Sequence, residues 1–301
     1  MTLHSHMARS GFKTWLALLA PGLFVFLWST GFVGAKYGLP YAAPLSFLLV
    51  RFLAVAGLML LLAWFTRAPW PENWRLWLRI GITGLFVHAT FLGGIYISIS
   101  NGLPLGATSI IVALQPVLTA LGSAALLSER ITGRQWLGLA LGLLGVVVVV
   151  SGRWIDGFGL VGLPAAFGAL FGITVGTLYQ KRFCPKFDYR TGAVIQFALA
   201  ALFTGGTMSF HENFRIEWNV SFLLALGWLT IVLSFCAIGL LNFLISTGSV
   251  VNVARLFYLV PPSTAFVAWL VFDESISIFV FVGMTLAAGG VYLSRSETLK
   301  R

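Results

Sequence analysis

Charge is what this sequence of 301 residues has least of: 9% of it is Asp, Glu, Lys or Arg, against 58% hydrophobic. A water-soluble domain of that length could not cover its surface with so few polar groups, so a polytopic membrane protein is the class that remains. Acids are scarcer still, nine in all, and none falls in the middle of an apolar run. Glu129, Asp273 and Glu274 stand at predicted helix ends, and the remaining acids are in loops or tails. Coupling to protons or sodium through a buried carboxylate is therefore not written into the chain. The two cysteines, Cys184 in a predicted loop and Cys236 in an apolar run, give neither a disulfide framework nor a thiolate metal site. A Walker motif, paired intramembrane aspartates and HExxH are also missing, so an ATP-driven pump or an intramembrane protease has no support, and no cofactor or metal is called for.

What is present is long hydrophobic runs. A bilayer core takes about 20 apolar residues per helix, and ten runs of that kind are marked at 14–36, 44–66, 75–99, 104–128, 133–151, 158–180, 190–210, 220–246, 250–272 and 275–294. No A-x-A type cleavage site follows the first, which is therefore expected to be retained as a helix. A net charge of +10 raises the question of nucleic acid, but the distribution of the basic residues answers it. With the N-terminus inside, fourteen Lys and Arg fall in cytoplasmic segments, while Lys36, Arg153 and Arg215 alone fall on the opposite side. That bias predicts a lipid bilayer as partner, no nucleic acid, and both termini in the cytoplasm.

The chain is also written twice. At a constant offset of 145 residues, Leu114, Pro116, Thr119, Glu129, Gly138 and Gly145 meet Leu259, Pro261, Thr264, Glu274, Gly283 and Gly290. Upstream the same frame pairs Gly31 with Gly176, Lys36 with Lys181, Phe52 with Phe197 and Gly94 with Gly239. The expected organisation is a lead at 1–13, a first five-helix repeat at 14–151, a second at 158–294 and a tail at 295–301. An odd number of spans per repeat makes the second copy enter the membrane from the opposite side, so the fold expected is all-α, ten transmembrane helices in two inverted repeats around a central cavity.

Polar groups inside lipid are costly and mark candidate sites. His88 lies halfway along span 3 in GLFVHATFLGG, and reads either as a neutral imidazole bonded to a neighbouring helix or as a cavity-lining contact able to titrate near neutral pH. Trp28, Ser29 and Thr30 sit at mid-depth in span 1, ahead of Gly31. Pro116 and the pair Pro261–Pro262 interrupt spans 4 and 9, freeing backbone carbonyls, and Gln115 precedes the first. On span 9, Arg255 and Tyr258 share a face at helical spacing, and Arg255 reads equally as a ligand-facing cation or as a residue snorkelling to the interface. Arg51, matched by Gln196, reads first as structural, bonding helix-end carbonyls, and second as a substrate contact; Tyr96 and Asn242 are weaker candidates. Gly31 and Gly176 are expected at crowded helix contacts, and Gly138, Gly142, Gly283 and Ala287 give small-residue faces for internal packing or a homodimer. Trp70, Trp74 and Trp77 beside Arg75 and Arg79 form an interfacial belt.

The WSTGFVGAK run of span 1, LLVRFLAVAGLMLLL of span 2, ALQPVLTALGSAALLSERIT across the 4–5 turn and GLALGLLGVVVVVSG of span 5 resemble the EamA-type branch of the drug/metabolite transporter superfamily. The resemblance runs from about Thr14 to Ser294. It implies ten helices around a central cavity and export of small metabolites, amino acids first, and it looks most like the aromatic and neutral amino-acid exporters of bacterial inner membranes. Members of that subgroup carry a polar or aromatic residue at the position of His88; this sequence departs from them in having Gln115 where an aromatic precedes the span 4 proline. The expected substrate-binding residues are thus His88, Trp28, Ser29, Gln115, Tyr258, Arg255 and Phe91, with Gly31, Gly176, Pro116 and Pro261 at packing or hinge positions. The alternatives are an exchanger of larger polar metabolites such as sugar phosphates or nucleotide sugars, and a non-transporting membrane sensor.

Overall fold

The computed structural model describes residues 3–115, 117–119, 121–122, 133–155, 160–184, 186–237, 240, 256 and 259–293. Among these residues the chain is all helical, and the nearest approach to a strand is one antiparallel bridge between Ala42 and Ile216. In chain order the helices are α1 (Leu3–Gly38), α2 (Pro44–Phe65), α3 (Trp74–Ser100), α4 (Leu105–Val112), α5 (Gly133–Ile155), α6 (Leu163–Phe183), α7 (Tyr189–His211), α8 (Val220–Ala237), α9 (Val260–Phe272) and α10 (Ile278–Leu293). Six of them, α1, α2, α3, α6, α7 and α8, are long and apolar enough to cross a membrane by length and composition; in the others the described apolar stretch is shorter, as at 136–148 within α5.

Local sequence explains where the helices begin and stop. Asn73, Asp188 and Asn219 cap α3, α7 and α8, each side chain accepting a backbone N–H of the first turn. Ala43 cannot do this for α2, and the Glu212 carboxylate takes its place, accepting from Leu45 N at 3.0 Å and Ser46 N at 3.3 Å. Gly102, at φ +81°, makes the turn between α3 and α4. α4 stops at Val112, four residues before Pro116, and Val112 owns the carbonyl that a proline at 116 leaves without an amide partner. Pro116 itself lies outside the described residues.

One expectation shifts: α1 is already helical at Leu3, within the stretch expected to be a polar lead. Pro261, expected to interrupt span 9 near its middle, sits in the first turn of α9, where its missing N–H is no loss and its fixed φ suits the helix; residues 250–255 and 257–258 of that span lie outside the described residues.

The duplication is visible in the helices. α2 begins at Pro44 and α7 at Tyr189, 145 residues apart. α3 carries a π-helical stretch at Leu85–Thr90; the same offset gives 230–235, inside the π-helical stretch Trp228–Ala237 of α8. Among the described residues one wide turn per repeat, at matched positions, is a feature that apolar patterning does not reveal.

α2 and α7 pack against each other in opposite directions. Ser46 at the start of α2 meets Met208 near the end of α7, Phe52 meets Phe197 midway at 5.8 Å between ring centroids, and beyond the end of α2 the Pro69 carbonyl accepts from Thr191 Oγ1 at 2.9 Å. α5 and α10 form the most extensive helix pair among the described residues. There a Cβ on Gly145 would meet Gly283 O at 2.7 Å and Ala287 N at 2.9 Å, and one on Gly290 would meet the backbone of Gly138 and Gly142. Contacts of 145 with 283 and 287 become contacts of 290 with 138 and 142 when the repeats are exchanged. In lipid, where burial gives helices little reason to associate, such glycine contacts are what brings backbones into van der Waals range.

Candidate functional site

The middle of the α2–α7 crossing is where polar side chains collect. Phe52 and Phe197, matched positions of the two repeats, face each other there, and their neighbours Arg51 and Gln196 are likewise a matched pair. His88, in the π-helical turn of α3, lies against this crossing: its ring stacks on Phe197 with centroids 3.8 Å apart and an interplanar angle of 19°, and stands 6.3 Å from Phe52. Its Nε2 is 3.2 Å from Gln196 Oε1, so the tautomer protonated at Nε2 donates to the amide carbonyl. Gly84, one turn earlier on α3, lets the helix reach α7 backbone to backbone, its Cβ position being 2.5 Å from Gln196 Cα.

Further along α3, Tyr96 meets Arg51 of α2. Arg51 Nη1 donates to Tyr96 Oη at 3.1 Å and Nη2 to the Leu229 carbonyl of α8 at 3.4 Å. The carbonyl belongs to the π-helical stretch of α8, not to a helix end as expected from the sequence. Arg51 is 7% exposed and Tyr96 1%. Among the described residues Arg51 has no acidic partner, and its Nε has no hydrogen-bond acceptor.

The other expected residues separate into groups. Ser29 is fully buried, its hydroxyl donating to Val25 O at 2.8 Å on its own helix and to Val260 O at 3.3 Å on α9, so in this state it ties α1 to α9 beside Pro261. Trp28 is half-buried and packs on Phe24 at 5.4 Å. Phe91 is half-buried against the main apolar core. Gln115, also half-buried, donates from Nε2 to Thr119 Oγ1 at 3.2 Å. Tyr258 and Arg255 lie outside the described residues, as does Asn242. Gly31 and Gly176 occupy equivalent contacts: a Cβ at 31 would lie 2.9 Å from Leu233 in the wide turn of α8, and one at 176 would lie 2.6 Å from Val87 in the wide turn of α3.

Gln196 is the participant that sequence reasoning did not select. A glutamine in an apolar run is a mild signal, but its offset partner is the intramembrane Arg51, and that pairing marked it.

Away from this cluster, a groove of about 360 Å³ runs between Leu60, Leu61 and Trp64 at the end of α2 and Trp70. Trp70 and Trp77 stack there at 5.2 Å, consistent in composition with an aromatic belt. At the opposite end of α2, Lys36 Nζ pairs with Glu274 Oε1 and lies 4.6 Å from the Phe272 ring centroid, joining the end of α1 to the α9–α10 turn.

Comparison with known proteins places this geometry. A model of the EamA-like transporter family matches residues 14–151 and again 160–296. A Bacillus subtilis protein named "Uncharacterized transporter YvbV" is 26% identical over 95% of this chain and 93% of its own length. An Escherichia coli protein named "Probable amino-acid metabolite efflux pump" is also 26% identical, over 90% of this chain and 92% of its own. One solved crystal structure superimposes with a TM-score of 0.62 at 22% identity, covering 92% of this chain and 95% of that one, which is a likeness of fold.

Proposed function

Since the chain belongs to the EamA-like transporter family, a membrane transporter family whose model it matches twice, we propose that it exports small neutral or zwitterionic metabolites, amino acids first, from the bacterial cytoplasm by alternating access. In this reading ten spans form two inverted five-helix repeats in the inner membrane with both termini cytoplasmic. The antiparallel course of α2 and its counterpart α7 supports the inversion, as do the exchanged contacts of Gly145 and Gly290. The bias of Lys and Arg supports the orientation. The amino-acid preference draws on the name of the Escherichia coli relative and on the chemistry of the cluster, which is aromatic and hydrogen-bonding and, among the described residues, lacks an acid.

The observation that carries the reading is the crossing of the matched helices α2 and α7 at Phe52 and Phe197, with polar His88 and Gln196 beside it. A site on an axis relating two inverted halves can be approached from either side by rocking one half against the other. Half-buried Trp28, Phe91 and Gln115 complete the proposed lining, with Tyr258 and Arg255 retained from the sequence; Gly31 and Gly176 let α1 and α6 slide against the two wide turns.

The test is uptake of labelled neutral and aromatic amino acids into proteoliposomes, with and without a pH gradient, by the wild type and by His88→Ala. Transport by the wild type and a large loss in a folded variant are expected. If no amino acid moves under either condition, the substrate class is wrong; if the variant transports at the wild-type rate across pH, His88 is structural.

A further inference from the structure

We infer that Arg51 is the residue that holds the carboxylate of the transported molecule, so the site takes small organic acids carrying a free carboxylate. The inference rests on the export reading above and narrows it.

The guanidinium is a fixed charge with five N–H donors, and it is buried at 7% exposure within the helix bundle. A charge in that position normally has an oppositely charged partner, because desolvation is otherwise uncompensated. Here both protein acceptors are neutral, the Tyr96 hydroxyl and the Leu229 carbonyl, and they take one proton from each terminal nitrogen. The Nε–H and one further proton on each terminal nitrogen remain. Nε and an adjacent terminal nitrogen form the side-on fork that matches the two oxygens of a carboxylate. The hydroxyl of Thr230, next in the chain to Leu229 and 3% exposed, also lacks a partner. Two unsatisfied groups of different chemistry thus adjoin the Leu229 carbonyl, Arg51 through its hydrogen bond and Thr230 through the chain, and Phe52, next in the chain to Arg51, stands 5.8 Å from the Phe197 ring and 6.3 Å from that of His88.

The repeat sharpens the point. The position equivalent to Arg51 is Gln196, whose amide is already engaged by His88. A pair of equivalent positions, one cationic and one neutral, fits a ligand with one anionic end. Among the described residues no acid reaches Arg51, and in this assignment the ligand supplies the anion.

The experiment measures equilibrium binding to the purified full chain of L-leucine and L-phenylalanine, their carboxamides, and their deaminated acids 4-methylpentanoate and 3-phenylpropanoate. Wild type, Arg51→Gln and Arg51→Lys are compared. Wild type is expected to prefer acids over carboxamides. Arg51→Gln should lose roughly ten- to a hundred-fold in affinity for the acids and little for the carboxamides. Arg51→Lys, charged but without the fork, should fall between them; should Arg51→Gln fail to fold, unchanged acid binding by Arg51→Lys overturns the assignment. Equal binding of acids and carboxamides by wild type, or an equal loss of both in Arg51→Gln, overturns it too and leaves amino-acid export standing. Binding of the deaminated acids alone, dependent on Arg51, keeps the assignment and removes the amino-acid reading. If no carboxylate in the panel binds wild type, both fail.

Discussion

Replacing Gly84 by alanine should separate the two repeats at their crossing. An alanine Cβ at 84 would stand 2.5 Å from Gln196 Cα and its carbonyl oxygen and 2.8 Å from the carbonyl carbon. Ordinary contact begins near 3.4 Å, so α3 and α7 would have to part by about 1 Å, and because the obstacle is backbone no rotamer change can relieve it. Overpacking of this kind costs about 1–3 kcal/mol. The same displacement would stretch the 3.2 Å bond between His88 and Gln196 past hydrogen-bonding range, since His88 is one turn from Gly84 on the same helix. Gly93→Ala is the internal control: it too lies on α3, but its Cβ would meet nothing within 4 Å, and the gain in helix propensity, up to about 1 kcal/mol, should make it neutral or stabilising. Thermal unfolding of the purified variants should show a lowered midpoint for Gly84→Ala and an unchanged or raised one for Gly93→Ala, and transport should fall in Gly84→Ala only. Equal stability of the two variants would refute the packing argument.

Two more expectations follow from charges at the ends of the bundle. Lys36→Met or Glu274→Gln should cost about 1 kcal/mol or less, because both side chains keep solvent access; the exchange Lys36→Glu with Glu274→Lys should recover most of it, and failure to do so would mean that the Lys36–Phe272 contact matters more than the ion pair. At the start of α7, hydrogen bonds from Arg190 hold the Asp188 carboxyl below the ordinary carboxylate range. A depressed folded-state pKa gives stability that is fully present above the ordinary value and lost as pH falls through the depressed one. Asp188→Asn should therefore be less stable than wild type at neutral pH, with the gap closing under acid; a gap that persists at low pH would assign the effect to the cap geometry and not to charge.

The apolar runs were sufficient for the six helices long enough to cross a membrane because each run answers to one property, its length against the bilayer. The extents of α2 and α7 follow the sequence to within a residue or two, and the cap residues Asn73, Asp188 and Asn219 are legible on their own. The site was less legible. His88 was visible as an intramembrane histidine, but its partner Gln196 lies 108 residues away, and the stacking on Phe197 needs α3 and α7 side by side. Ser29 is a further case: its depth in span 1 was legible, but that its hydroxyl reaches the Val260 carbonyl depends on α9 crossing α1 there. Arg51 was seen as a buried cation and assigned to a helix-end carbonyl; the acceptors are mid-helix groups made available by a hydroxyl and by the wide turn of α8.

What the sequence determined by itself is the membrane class, the duplication and the places where polar groups interrupt apolar helix, because each is a property of residues in a row. Which of those groups meet was decided only by the tertiary structure. Two matched helices packed in opposite directions bring residues 145 positions apart into contact at the middle of their length, and a one-dimensional pattern carries no record of which helix face turns toward which neighbour.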